Sequence, residues 1–396
     1  MKLDRTTILL AAGALLVSAL VAFTVIRLAA GPPDVPARIS VFPSAGSAGT
    51  TAPSSPSTET TQGIYTIEST LPPGMTSADV SAALVSQGTG PIARVAFILQ
   101  DKLTVAHESG KDRFTVARWT EGGAYALSPD RRRIAFTVPD VGGLAHLYVT
   151  LVGGETLDMG VLVGESGFGW MPDSKRLVAA PQGGLGAKPL SIISTAGGPI
   201  VRLGVDGRYP VASPDGKWIA FLKNAAGARG STISELWRVG ADGKGALLLA
   251  KGLDVSDMAW LASDELAVVE KGERAMQDRL VRMDLFGAEL VTLASGAPGG
   301  MGSLHRVLTG SESGLVAYDV VGDDGYSRIY TVDPEGRSRR ILPGQRDVYP
   351  VAWSIDGDRL FYIEGNTYQG EEGLTALFSA TALGTGKQFV ASGARL

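Results

Sequence analysis

A short pattern that returns along the chain limits its fold more than any other feature. Its clearest copy is SPDGKWIAFLK at residues 213–223. Relatives are SPDRRRIAFTV at 128–138, MPDSKRLVAAP at 171–181 and SIDGDRLFYIE at 354–364, with a degenerate LASDELAVVEK at 261–271. In each copy a tight polar turn runs straight into an apolar strand. The first core residue after the turn is Ile134, Leu177, Ile219, Leu266, Leu315 or Leu360, in successive steps of 42 to 49 residues. Internal similarity at that period is the mark of a four-stranded β-propeller blade, and it is too long for leucine-rich, ankyrin or tetratricopeptide units.

Each step also has the right anatomy. After residues 213–223 comes a polar loop, then ISELWRVGADGKGALLLA, two apolar runs joined at Ala241, Asp242 and Gly243. Asp-Gly between alternating apolar runs predicts a hairpin, because the turn needs positive φ. The plan recurs in SRIYTVDPEGRSRRIL and TALFSATALGTGKQFVA. Residues 92–119 offer three more strands with a marker at Ala96. The fourth strand of that unit comes either from GIYTIES at 63–69 or from the other end of the chain when the ring closes. The expected fold is therefore all-β, a propeller of six or seven four-stranded blades.

Composition agrees. With 52 Gly, 19% charged residues and 11 Phe, the chain is turn-rich and charge-poor. A net charge of −4 without a clustered basic face argues against nucleic acid as a partner. The absence of Cys excludes disulfides, thiolate metal sites and thiol nucleophiles. Three scattered histidines, His107, His146 and His305, make a multi-histidine metal centre improbable. No cofactor is expected.

Ahead of the repeats lies ILLAAGALLVSALVAFTVI, residues 8–26, nineteen residues without a charge. As a helix this is roughly 28 Å long, enough to cross a bilayer. Lys2 and Arg5 precede it, which favours a cytoplasmic N-terminus. Residues 1–30 thus read as a signal-anchor or transmembrane segment. A cleaved signal peptide is the competing reading, and it too places the rest of the chain outside the cytoplasm. Residues 31–62, rich in Pro, Ser, Thr and Gly, read as a disordered tether with a reach of roughly 30 Å. Residues 63–396 form the propeller domain, with a short helix expected within 72–87, capped by Thr76 or Ser77.

The Ser-Pro-Asp-Gly-Lys turn followed by Trp-Ile-Ala-Phe resembles the WD-like repeat of the TolB-type β-propellers of bacterial envelopes, a repeat shared with the propeller domains of prolyl-oligopeptidase-like enzymes. Ser128, Pro129, Asp130, Ser213, Pro214 and Asp215 carry the likeness, while the units at Leu261 and Leu308 depart from it. The resemblance implies fold and a bacterial envelope setting. It leaves function open, because that repeat serves unrelated roles.

No catalytic residue is singled out. The nearest approach to a Gly-x-Ser-x-Gly elbow, at Gly164 to Gly167, fails because Phe168 stands fifth. Asp130, Asp173, Asp215 and Asp356 recur in the turns, where Asp caps the backbone two residues on. Trp119, Trp170, Trp218, Trp237, Trp260 and Trp353 suit packing between blades. Tyr125, Phe168, Tyr209, Met258 and Tyr349 each stand at the entry to an innermost strand and are the candidate partner-binding residues. Tyr209 and Tyr349 precede Pro, which predicts extended backbone there. The expected function is a non-catalytic protein-binding or scaffolding propeller, its partner an envelope protein or peptide. The alternative is a cation-dependent carbohydrate-binding protein or enzyme using the channel mouth, with Asp319, Asp323 and Asp324 as metal ligands.

Overall fold

The computed structural model describes residues 93–395, apart from 141–143, 184–185, 188, 227–231, 273–277, 296–302, 311–313, 323, 343–346 and 366–374. The apolar segment at 8–26, the tether at 31–62, the strand expected at 63–69 and the helix expected within 72–87 lie outside the described residues, as does Asp323. Among the described residues every regular element is a strand.

The repeated turn explains why strands begin where they do. In four copies one geometry recurs: Ser128, Met171, Ser213 and Ser354 each donate their N–H to the carbonyl five residues on, at 2.7–2.8 Å. The fourth residue of the turn sits at positive φ in all four, as Arg131 (57°), Ser174 (57°), Gly216 (71°) and Gly357 (73°). Asp130, Asp215 and Asp356 accept the N–H two residues on at 3.1–3.2 Å, and Asp173 does so at 2.9 Å. The Ser213 and Ser354 hydroxyls donate to their neighbouring carboxylates and hold Asp215 and Asp356 below the ordinary Asp value. These aspartates are occupied by their own turns. At Gly240–Lys244, Gly243 alone takes positive φ, so this hairpin closes through a bulged turn that needs one left-handed residue.

In chain order β1 (Arg94–Leu99), β2 (Lys102–His107) and β3 (Phe114–Arg118) form a meander. A continuous sheet follows, made of β4 (Tyr125–Leu127), β5 (Arg133–Pro139), β6 (Ala145–Leu151), β7 (Thr156–Trp170), β8 (Arg176–Gly183), β9 (Gly186–Ala187), β10 (Ser191–Ser194) and β11 (Val201–Arg202). The next contains β12 (Arg208–Ala212), β13 (Trp218–Ala226), β14 (Thr232–Gly240), β15 (Leu247–Ala262), β16 (Glu265–Lys271), β17 (Arg279–Asp284) and β18 (Glu289–Ser295). Both sheets are continuous because one long strand serves two units. β7 pairs first with β6 and then, past a register shift between Val163 and Phe168, with β8, while β15 passes from β14 to β16 between Leu253 and Asp254.

Two four-stranded sheets complete the chain. They are β19 (Ser303–Thr309), β20 (Val316–Val321), β21 (Ser327–Val332) and β22 (Ser338–Arg340), then β23 (Val348–Trp353), β24 (Arg359–Glu364), β25 (Ala376–Thr381) and β26 (Gln388–Ser392). Finally β27 (Ala394–Arg395) returns to the first sheet, with Arg395 opposite Ile98 and Ala394 opposite Leu99. Of the two expected sources of a fourth strand there, the C-terminal one is observed. An ion pair between Arg395 and Asp101 lies beside it.

Packing follows the same repeat. Among the described residues the buried apolar side chains fall into seven clusters, each shared by two successive four-strand units. One of them joins Val95, Phe97 and Ala106 of the first sheet to Phe361, Leu377 and Val390 of the last. Because both faces of a sheet are covered, the second strand of a unit is mostly apolar: β16, β20 and β24 are buried along nearly their whole length, with Glu270 and Asp319 the buried charges among them. Trp170, Trp260 and Trp353 end three innermost strands and donate Nε1–H to Ala126, Val211 and Leu308 of the preceding unit, at 2.9, 2.9 and 3.1 Å. Each indole is both packing and a hydrogen bond between units.

Candidate functional site on the innermost strands

Four of the innermost strands, β12, β15, β19 and β23, carry register shifts, at Arg208–Val211, Val255–Asp257, Leu304–Val307 and Pro350–Ala352. A bulge bends its strand and re-aims side chains, which is why such irregularities gather at sites. Here they place charged groups where the strands would otherwise be apolar.

At the first bulge Tyr209 is 44% exposed and held at φ +50°. The extended backbone expected for a residue before Pro is therefore not observed at Tyr209; the bulge overrides that local preference. The Arg208 guanidinium lies 5.4 Å from the Tyr209 ring centroid and donates Nη2–H to Ser234 Oγ at 2.8 Å. Its buried Nε–H has no hydrogen-bond partner among the described residues. A strained aromatic over a partly satisfied cation is a costly arrangement.

The other four aromatic or Met candidates are placed differently. Met258 is buried among Val255, Trp260, Leu266 and Val268, so its side chain packs between units. Phe168 is partly buried against the cluster containing Trp170 and Leu177. Tyr125 meets Trp119 edge-on at 5.5 Å, and burial pushes its hydroxyl up to about 12, Arg306 opposing. Tyr349 is half-buried opposite Ile363, and its hydroxyl bonds the buried Asp347 carboxylate. Of the five, Tyr209 is the exposed one.

A polar network that the sequence reading missed crosses the next three innermost strands. Asp257 on β15 accepts N–H bonds from Val307 at 2.8 Å and from Met258 at 2.9 Å. Asp319 accepts from the Arg306 N–H at 2.8 Å and from Ser327 Oγ at 3.1 Å, and Arg306 reaches the Pro350 carbonyl at 3.5 Å. Asp319 is thus tied to the protein, and Asp324 is ion-paired to Arg328 across its turn. Among the described residues no three His, Cys, Asp or Glu side chains converge as metal ligands. The signal for Asp257 was a lone carboxylate inside the apolar run VSDMAW.

Burial raises Asp257 to about 6, with Asp319 adding to the shift and Arg306 opposing it. A carboxyl raised in the fold stabilises the protein fully below about pH 4, and that contribution is lost as pH rises through about 6. Denaturation midpoints should fall between pH 4 and 7 by an amount on the order of 1 kcal/mol more in the wild type than in Asp257→Asn. Parallel pH profiles would place the proton elsewhere.

A cavity of about 600 Å³ is bounded by β4, β23 and the turns that follow them, with Ala96, Trp170 and Thr309. Arg131 enters it and donates Nη1–H to the Arg94 carbonyl at 2.8 Å and Nη2–H to the Trp353 carbonyl at 2.9 Å. Burial lowers this guanidinium from its ordinary value, Glu108 partly offsetting it. The sequence did carry a sign of this residue, since Arg131 occupies the left-handed turn position that Gly216 fills in the clearest repeat.

The β-propeller domain of the Trilobed protease from Pyrococcus furiosus, described as having an open velcro topology, superposes with a TM-score of 0.56 at 13% identity, over 77% of this chain and 96% of that one. The fold is a β-propeller. A prolyl endopeptidase aligns with a TM-score of 0.54 at 15% identity, over 78% of this chain and 50% of its own, so the propeller chain spans half the length of that enzyme. TolB from Acinetobacter baumannii also matches, with a TM-score of 0.46 at 16% identity over 66% of each chain. No family model and no curated protein matches the sequence. At these identities the likeness of the propeller is one of fold.

Proposed function

We propose that this propeller is a non-catalytic binding module of seven blades, held on the outer side of a bacterial cytoplasmic membrane by residues 8–26. The seven shared core clusters and the pairing of β27 with β1 support the blade count. The uncharged nineteen-residue span and the TolB-type repeat support the setting. Its partner is an envelope protein or peptide that meets the entry ends of the innermost strands, with Tyr209 as the main anchor and Tyr349 beside the Asp347 carboxylate as a second.

One observation carries this reading: Tyr209 is exposed and aromatic, yet held in a left-handed backbone conformation that costs of order 1–3 kcal/mol for a residue with a Cβ. Strain of that kind is held in place by the surrounding structure and gathers at functional sites, and outside a tight turn, as at Tyr209, it points to one. Tyr209→Gly should therefore raise the denaturation midpoint by about 1 kcal/mol while weakening partner capture at least tenfold, and Tyr209→Ala should lose capture without the gain. Capture from solubilised envelopes and a urea melt, run on the same variants, check both halves. Undiminished capture by Tyr209→Gly would remove this anchor from the proposal.

A further inference from the structure

The cavity between β4 and β23 has the size and the walls of a small-molecule site. Its volume of about 600 Å³ falls within the usual range for ligand pockets and equals the liquid volume of roughly twenty waters. Leu127, Val351 and Ile355 make it apolar, and Tyr125, Trp170 and Trp353 add aromatic surface. Most polar groups of the lining are committed elsewhere. The Ser128 and Ser354 hydroxyls donate to Asp130 and Asp356 within their own turns, and both indole N–H groups go to carbonyls of the preceding unit. The charged residue of the lining is Arg131.

Arg131 is an unusual choice for its position. It sits at φ +57°, where the copies at 213–223 and 354–364 carry Gly216 and Gly357, so a long side chain is kept on a backbone that favours none. Its bonds to the Arg94 and Trp353 carbonyls use part of a planar fork that carries five N–H donors. Carbonyl oxygens satisfy donors without neutralising the charge. The nearby Glu108 carboxylate, which accepts the Ile355 N–H at 3.0 Å, offsets the burial of the guanidinium only in part. A cation in a wall of low dielectric attracts a carboxylate more strongly than one in water, and the fork can take it bidentately.

We propose that this cavity binds a small apolar monocarboxylate, an alkyl or aryl acid, with its carboxylate on Arg131 and its body against Trp170, Val351 and Trp353. A single cation among apolar walls suits one negative charge on an apolar body. A free phosphate or a sugar would instead set polar surface against Leu127, Val351 and Ile355 and lose its hydration without compensation. The lining gathers along β4 and β23 and the turns that follow them, whereas Tyr209 stands on β12, so this proposal is independent of the Tyr209 reading.

Titration of the full chain with octanoate and with octanamide, its neutral counterpart of nearly equal size, tests it. Two indoles line the cavity, so tryptophan fluorescence reports the binding. Octanoate should bind with a Kd of roughly 0.1–1 mM, and octanamide about tenfold more weakly or worse. In Arg131→Gln octanoate should weaken to the level of octanamide while octanamide keeps its affinity, a pattern that general loosening of the fold does not produce. Ala352→Leu adds volume to the lining and leaves Arg131 in place, and it should weaken both ligands about tenfold. Equal binding of acid and amide by the wild type overturns the proposal, as does the lack of saturable binding below about 10 mM. Undiminished binding in Ala352→Leu puts the ligand elsewhere and overturns it too. If Arg131→Gln is too unstable to titrate, Arg131→Lys decides: the preference for acid over amide has to survive with the charge, and its loss overturns the proposal.

Discussion

Trp353→Ala is expected to destabilise the protein by about 3–5 kcal/mol, the range for deleting a buried large aromatic. The indole is 5% exposed in the cluster with Ala317, Val348, Leu360 and Tyr362, and Gly310 packs onto its face, where even an added Cβ would come within 3.1 Å of Cδ2. Its Nε1–H is also the donor for the Leu308 carbonyl of the preceding unit. Trp353→Phe separates the two contributions: it keeps much of the ring volume and should lose about 1–2 kcal/mol, largely the orphaned carbonyl. The same pair of changes at Trp260, whose Nε1–H meets Val211, should give the same ordering. Guanidinium denaturation midpoints at fixed pH provide the comparison. Equal losses for Phe and Ala would mean that the hydrogen bond between units, not the packing, is the main contribution.

Gly110→Ala is expected to be nearly as damaging, at about 3–4 kcal/mol, although it adds a single methyl group on a surface turn. Gly110 sits at φ +79°, and a Cβ there would lie 2.4 Å from the Val390 carbonyl oxygen, with the Val390 backbone carbon 3.2 Å away. Backbone cannot swing aside as a side chain can, so the first and last sheets must separate locally. Arg113 Nη2 donates to that same carbonyl at 2.8 Å and would be disturbed with it. Left-handed strain contributes about 1–2 kcal/mol and overpacking about 1–3 kcal/mol. Gly160→Ala is the matched control, because Gly160 has φ +63° with nothing within 4 Å of its Cβ position, and it should lose the strain contribution alone. Equal midpoints for the two variants would show that the first and last sheets are not held together at Gly110.

The local parts of this fold were readable from short stretches of chain. A Ser-x-Asp turn closes through hydrogen bonds within six residues, so Asp130, Asp215 and Asp356 could be assigned as turn caps before any neighbour was known. The markers Ile134, Leu177, Ile219, Leu266 and Leu360 all fall in the second strand of a unit, because a strand covered on both faces must be largely apolar. Trp170, Trp260 and Trp353 announced their shared role by recurring at one position of the repeat.

Other features belong to the assembled sheets. Which candidates face solvent turns on the bulges: one inserted residue reverses the face of every side chain beyond it, so Met258 is buried and Tyr209 exposed although both stand at strand entry. The positive φ of Tyr209 runs against the preference of a residue before Pro, and the pairing of β12 with β13 imposes it. The Asp257–Arg306–Asp319 network joins residues from three separate strands, and Arg131 bridges carbonyls of Arg94 and Trp353 from opposite ends of the chain. Closure of the first sheet by Ala394 and Arg395 joins the two ends of the described residues. The sequence by itself determined turns, strand order and the period of the repeat, because these depend on dihedral preferences and apolar pattern within a few residues. Ring closure, bulge position and the charges on the innermost strands were decided by tertiary structure, where each pairing depends on partners far away along the chain.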